Sequence, residues 1–140
     1  MFPVLRAHGL DFEYSQSSGC LYLVDAEDGR ALIGRGYSGA AGHVNRPESQ
    51  HLVARGPIPC GVWRMEPPLA SHPRLGPKVI PLEPADAQTA RGRGGFFVHG
   101  DNKRVNNSAS SGCIVMPGSV RGLMIELYWQ FACRSIIVTP

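Results

Sequence analysis

Apolar and acidic residues alternate from Leu10 to Tyr14, with Leu10, Phe12 and Tyr14 set against Asp11 and Glu13. A period of two is that of a strand with one buried face. Ser15-Gln16-Ser17-Ser18-Gly19 reads as a turn, and Cys20 to Val24 as a second strand. Asp28-Gly29 is a hairpin signal, and Ala31 to Gly36 gives a third strand, so the first third of the chain predicts a meander. Tyr37 to Arg55 is polar and irregular: a loop, or a short helix starting near Pro47-Glu48-Ser49. Gly56 to Gly61 predicts a stiff turn, because Pro57 and Pro59 fix φ and remove donors.

The second half alternates short strands with proline-rich loops. Val62 to Glu66 predicts a strand, Pro67 to Pro77 a loop, and Lys78 to Leu82 a short strand that Pro81 marks as an edge. Pro84 to Gly95 has little helix potential, and Phe96 to His99 reads as a buried strand by residue type. Asp101 to Ser111 is a loop, and Cys113 to Met116 is extended or helix-starting until Pro117-Gly118 stops it. Ser119 is placed to cap one short helix, Val120 to Tyr128, ahead of a final strand from Arg134 to Thr139.

The chain has 140 residues, no internal repeat and no linker, which predicts one domain, 1–140, able to bury a core without staples. Its 17 glycines and 12 prolines are scattered, as many short strands and turns require. The expected fold is therefore mostly β, sandwich-like, with one or two short helices. The net charge is +3, the only tight basic pairs are Arg91 with Arg93 and Lys103 with Arg104, and there is no basic helix, so a nucleic-acid partner is not expected. No apolar run is long enough for a membrane span, and Met1 to His8 lacks the apolar centre of a secretory signal. The four cysteines, Cys20, Cys60, Cys113 and Cys133, form no CxxC pair, and at least two of them read as buried thiols.

The chemistry concentrates in Phe96-Phe97-Val98-His99-Gly100 and Ser110-Ser111-Gly112-Cys113-Ile114-Val115-Met116. A cysteine nucleophile needs a base to form thiolate and amide donors aimed at the developing oxyanion. Cys113 is the candidate nucleophile and His99 the candidate base, brought together if their strands are neighbours. The Gly100 carbonyl is placed to hold one imidazole nitrogen, and the amides of Ser111, Gly112 and Cys113 are the candidate oxyanion donors. Tyr37, Arg93, Arg104 and Ser110 are candidate substrate contacts. Asp101 reads first as a loop-capping aspartate, with orientation of His99 as the alternative. A metal held by His99, Asp101 and Cys113 is the weaker reading, since zinc ligands come in tighter pairs; no cofactor is expected.

His99-Gly100 followed by Ser111-Gly112-Cys113, with Gly56-Pro57-Ile58-Pro59-Cys60-Gly61-Val62-Trp63 as a turn leading into a strand, resembles the L,D-transpeptidase (YkuD-like) catalytic domain. Tyr37-Ser38-Gly39 and Ser110 to Val115 are more similar to the small L,D-transpeptidase-like effectors delivered by bacterial type VI secretion. The resemblance implies cysteine-dependent acyl transfer on diaminopimelate-containing peptidoglycan stem peptides, as carboxypeptidase or by D-amino-acid exchange. It further implies action in the periplasm of a target bacterium and a cognate immunity protein as partner. A non-catalytic wall-binding or scaffold module of the same fold is the alternative. The chain departs from the larger family members at Ser111, where they carry histidine, at Val115, where arginine or asparagine is frequent, and in its shorter His-to-Cys loop.

Overall fold

The computed structural model describes residues 9–25, 27, 29–101 and 110–140. Ten strands and one α-helix account for most of them: β1 Leu10–Ser15, β2 Cys20–Asp25, β3 Arg30–Arg35, β4 Tyr37–Ser38, β5 Gly61–Met65, β6 Leu69–His72, β7 Gly76–Pro84, β8 Phe96–His99, β9 Ile114–Val115, α1 Gly118–Phe131 and β10 Ser135–Thr139. Two 3-10 turns, Pro47–Ser49 and Ala87–Ala90, lie in the long loops. The N-terminal meander forms as the alternation predicts, with Phe12 and Tyr14 fully buried. Of its hairpin signal, Asp28 lies outside the described residues.

The strands join in one path, β3-β2-β1-β10-β5-β7-β8-β9-β4, with β6 beside β7. β3 and β4 stand at opposite ends of that path, yet only Gly36 separates them in sequence. The sheet must therefore curl until its ends adjoin, which produces the two packed layers of the expected fold. Gly36 is the seam. Its N–H donates to the Gly19 carbonyl at 2.8 Å, and a Cβ there would stand 1.8 Å from the Val115 carbonyl oxygen. The core fills the space between layers with Phe12, Tyr14 and Leu21 from one end and Phe96, Val98 and Ile114 from the other. Trp63 meets Phe96 edge-to-face at 4.8 Å. Val120, Met124 and Tyr128 add one stripe of α1 to the same core.

Three expectations change. The segment read as a loop from Pro67 to Pro77 contains β6, which pairs with the start of β7. β7 is not an edge strand. It lies between β5 and β8, and Pro81 is tolerated where its neighbour passes from β5 to β6 through Glu66-Pro67-Pro68. At that interruption the Pro81 carbonyl still accepts the Glu66 N–H at 2.9 Å, and no ladder bond is asked of its nitrogen. The helix starts at Gly118 behind Pro117 with no side-chain cap, so Ser119 lies inside its first turn.

Candidate active site

β8 and β9 are parallel neighbours, with Val98 opposite Ile114 and His99 opposite Val115. Side chains alternate across a sheet. Val98, Ile114 and Met116 enter the core, while His99 and Val115 face the other way, and the register carries Cys113 to their side of the sheet. β4 extends that face, since Tyr37 pairs with Val115. A histidine and a cysteine fourteen positions apart thus come from adjacent strands onto one face.

The His99 ring is 3% exposed, and its Nδ1 lies 2.7 Å from the Gly100 carbonyl oxygen. That contact places the proton on Nδ1 and leaves Nε2 as the acceptor. Burial pushes the imidazole below its usual 6.5; the Gly100 bond and Asp101 pull it up, and Arg121 and His72 push it further down. Asp101 accepts the Tyr37 hydroxyl at 2.8 Å, and among the described residues the ring's hydrogen bond runs to Gly100.

The Cys113 thiol donates to the Gly95 carbonyl at 3.6 Å, and no hydrogen bond joins it to His99 among the described residues. Burial drives it up to about 11, opposed by the Phe97 backbone and the Arg93 guanidinium. Cys113 lines a small cavity of about 130 Å³ with Ser111, Gly112, Gly94, Gly95 and Arg93. A second cavity, of about 600 Å³, lies beyond Val115 and is lined by Tyr37, Asp101, Arg35 and Arg121. His99 lines neither. Burial thus disfavours both the thiolate of Cys113 and the imidazolium of His99.

The loop ahead of Cys113 is organised by two serines. Ser110 Oγ donates to the Cys113 carbonyl at 2.7 Å and accepts the Gly39 and Gly112 amides, both at 3.0 Å. Ser38 Oγ donates to the Gly112 carbonyl at 3.0 Å and accepts the Ile58 amide at 2.9 Å. Two sequence-based roles change accordingly. Ser110, 4% exposed and fully engaged, shapes the loop rather than meeting a substrate. The Gly112 amide is occupied by that hydroxyl, which leaves Ser111 and Cys113 as the candidate oxyanion donors.

Arg93, a candidate substrate contact by sequence, is buried. Its Nη1 donates to the carbonyls of Gln50 (2.7 Å) and Pro57 (2.9 Å), and its Nη2 to those of Gly56 (2.9 Å) and Ser111 (3.3 Å). With both terminal nitrogens engaged, it staples the 50–57 loop to the cysteine loop. Arg104 lies outside the described residues, as do Lys103, Asn106 and Asn107. All four cysteines are free thiols, and no group of metal-ligating side chains occurs among the described residues. Two residues escaped the sequence reading. His72 packs against Phe97 at 5.4 Å, and Arg121 reaches under the end of β8 from α1. An arginine on a helix carries no signal that separates a buried anchor from a solvated face.

The fold has counterparts among solved structures. The chain is similar to an L,D-transpeptidase (Yku) from Stackebrandtia nassauensis at 15% identity and TM-score 0.61, covering 94% of this chain and 56% of that one. Mycobacterium tuberculosis L,D-transpeptidase 1 is similar at 13% identity and TM-score 0.53, covering 94% and 62%. Bdellovibrio bacteriovorus Bd1075 is similar at 14% and 0.57, covering 91% and 46%. The chain thus spans about half to three fifths of the length of these proteins, and the likeness establishes the L,D-transpeptidase fold. No curated protein matches the sequence. The family model of the Tlde1 domain matches residues 33–137, a span that runs from β3 to β10 and includes both His99 and Cys113. The chain belongs to the Tlde1 domain family.

Proposed function

We propose that the protein is a cysteine acyltransferase acting on peptidoglycan stem peptides, with Cys113 as nucleophile and His99 as base. The observation that carries this reading is the placement of the two residues on adjacent parallel strands, on one face, with His99 Nδ1 tied to the Gly100 carbonyl. As the thiol turns from Gly95 toward His99, its proton passes to Nε2 and the sulfur attacks the carbonyl of diaminopimelate that precedes a terminal D-alanine. The Ser111 and Cys113 amides face the oxyanion. Collapse breaks the C–N bond, and His99 returns its proton to the departing amine. Water then attacks the thioester, giving L,D-carboxypeptidase activity, or the amine of a D-amino acid does so, giving exchange. Arg93 supports the chemistry by favouring thiolate beside it without touching substrate.

The Tlde1 family and the similarity of Ser110 to Val115 to type VI effectors support an antibacterial role in the periplasm of a target cell, with an immunity protein as partner. The second reading, a non-catalytic wall-binding module, is favoured by one observation: the thiol is bonded to the Gly95 carbonyl, in a buried setting that disfavours thiolate. Intact-mass spectrometry with a tetrapeptide or a carbapenem separates the two. A covalent adduct that Cys113→Ala abolishes in a folded protein is expected; peptide binding with no adduct would establish the module instead. Expression directed to the periplasm should swell or lyse cells while cytosolic expression does not, and equal harmlessness in both would remove the toxin role.

A further inference from the structure

Arg121 is a buried cation with no carboxylate hydrogen-bonded to it among the described residues. Its side chain is 8% exposed. Nε donates to the Met116 carbonyl at 3.1 Å, and Nη1 to the carbonyls of Pro77 (2.7 Å) and Lys78 (3.1 Å). Nη2 has no hydrogen-bond partner among the described residues. Burial disfavours the charge of the guanidinium, and Nη2 is not sealed into the protein but open to a cavity. The fold makes room for this nitrogen: a Cβ would stand 2.8 Å from it at Gly100 and 3.4 Å at Gly118.

The surroundings point to what is missing. Arg121 lines the cavity of about 600 Å³, with Arg35 at its rim and Pro117 and Gly118 at the start of α1. No side chain caps that start, and the first helical bonds run from Val120 and Arg121 to the Pro117 carbonyl. The preceding amides and the positive end of the helix therefore serve the same cavity. Asp101, held by the Tyr37 hydroxyl, places one negative group in it.

We infer that this cavity binds the zwitterionic end of an amino acid, its carboxylate on Arg121 Nη2 and the first amides of α1, its ammonium toward Asp101. The identity of the ligand rests on the function proposed above, which offers two sources: the free D-centre of the diaminopimelate side chain, or a free D-amino acid. Val115, in the cavity wall, is two residues beyond Cys113 on the same face. That is roughly 7 Å along a strand, within reach of one extended side chain from the carbonyl under attack.

The test is binding to the Cys113→Ala protein, where no turnover intervenes. Calorimetry or NMR titration would compare a diaminopimelate tripeptide, the same peptide amidated at the side-chain carboxyl, and D-alanine. The free carboxyl should bind about tenfold or more tighter than the amide, and Arg121→Gln should erase the difference. Preference for the free tripeptide assigns the side chain. D-alanine binding that Arg121→Gln weakens assigns the free amino acid. Equal affinity for tripeptide and amide, together with D-alanine binding that is absent or indifferent to Arg121→Gln, overturns the site. Should Arg121→Gln not fold, the tripeptide–amide comparison decides for the side chain. D-alanine binding weakened by Arg35→Gln, at the exposed rim, then decides for the free amino acid. A Cys113 adduct formed without any carboxylate preference would leave the acyltransferase standing and remove this subsite alone.

Discussion

Two buried arginines flank the site, and they are solved differently. Arg93 stands beside Cys113, its terminal nitrogens directed at four main-chain carbonyls. Arg121 stands beside His99, with three bonds and one nitrogen turned to a cavity more than four times the volume of the one at Cys113. A guanidinium whose terminal nitrogens are both held by backbone is an internal staple whose charge acts only at a distance. One left unsaturated is half of an interaction. The same residue type thus builds the wall around the nucleophile and opens a recess beyond the base.

The contrast breaks most visibly at Arg93. Arg93→Met strands four carbonyls and should cost about 3–5 kcal/mol, read as a lower denaturation midpoint with an unchanged slope. It also removes the cation that favours thiolate, so alkylation of Cys113 at fixed pH should slow. Gly112→Ala strikes the same staple: φ there is +141°, and a Cβ would lie 2.5 Å from Arg93 Nη2. A loss of about 1–3 kcal/mol is expected from the backbone conformation alone. Arg121→Gln should destabilise less, about 1–2 kcal/mol, because its open nitrogen contributes no bond. Its signature is instead an upward shift of the His99 titration, measured by NMR, since Arg121 disfavours imidazolium.

The smallest effect is the shape of stability against pH. His99 is depressed on folding, so its contribution is present above about 6.5 and is lost as pH falls through the folded value. Cys113 and Cys133 are raised from 9.0, to about 11 and about 12, so theirs are present below 9 and lost as pH rises through those values. Chemical denaturation across pH should show a plateau between. Arg121→Gln should flatten its acid limb and leave the alkaline one in place; movement of both limbs together would mean that the two arginines do not act separately.

The strands were legible because period two and β-branched runs are local properties, as at Leu10 to Tyr14 and Phe96 to His99. Cys113 and His99 could be named as candidates because glycine and serine around a cysteine mark a loop that must approach something closely, and their strands are indeed neighbours. What was not legible depended on partners far along the chain. Pro81 signals an edge until β5 and β6 are known to share one side of β7. Ser110 and Arg93 look like surface polar residues until their carbonyl partners, supplied by segments from residue 50 to 113, are in place. Arg121 needs Gly100, Gly118 and β7 before it can be seen as buried.

The pairing of β1 with β10, Phe12 opposite Ile136, sets the order in which this molecule can be made. Two segments more than a hundred residues apart sit side by side in the middle of the strand order, with β2 on one flank and β5 on the other. Neither half can complete its layer until the last strand has emerged, so closure is a late, entropically demanding event and refolding should be slow for a chain of this size. Trimming the final strand would split the molecule down its middle rather than fray its border.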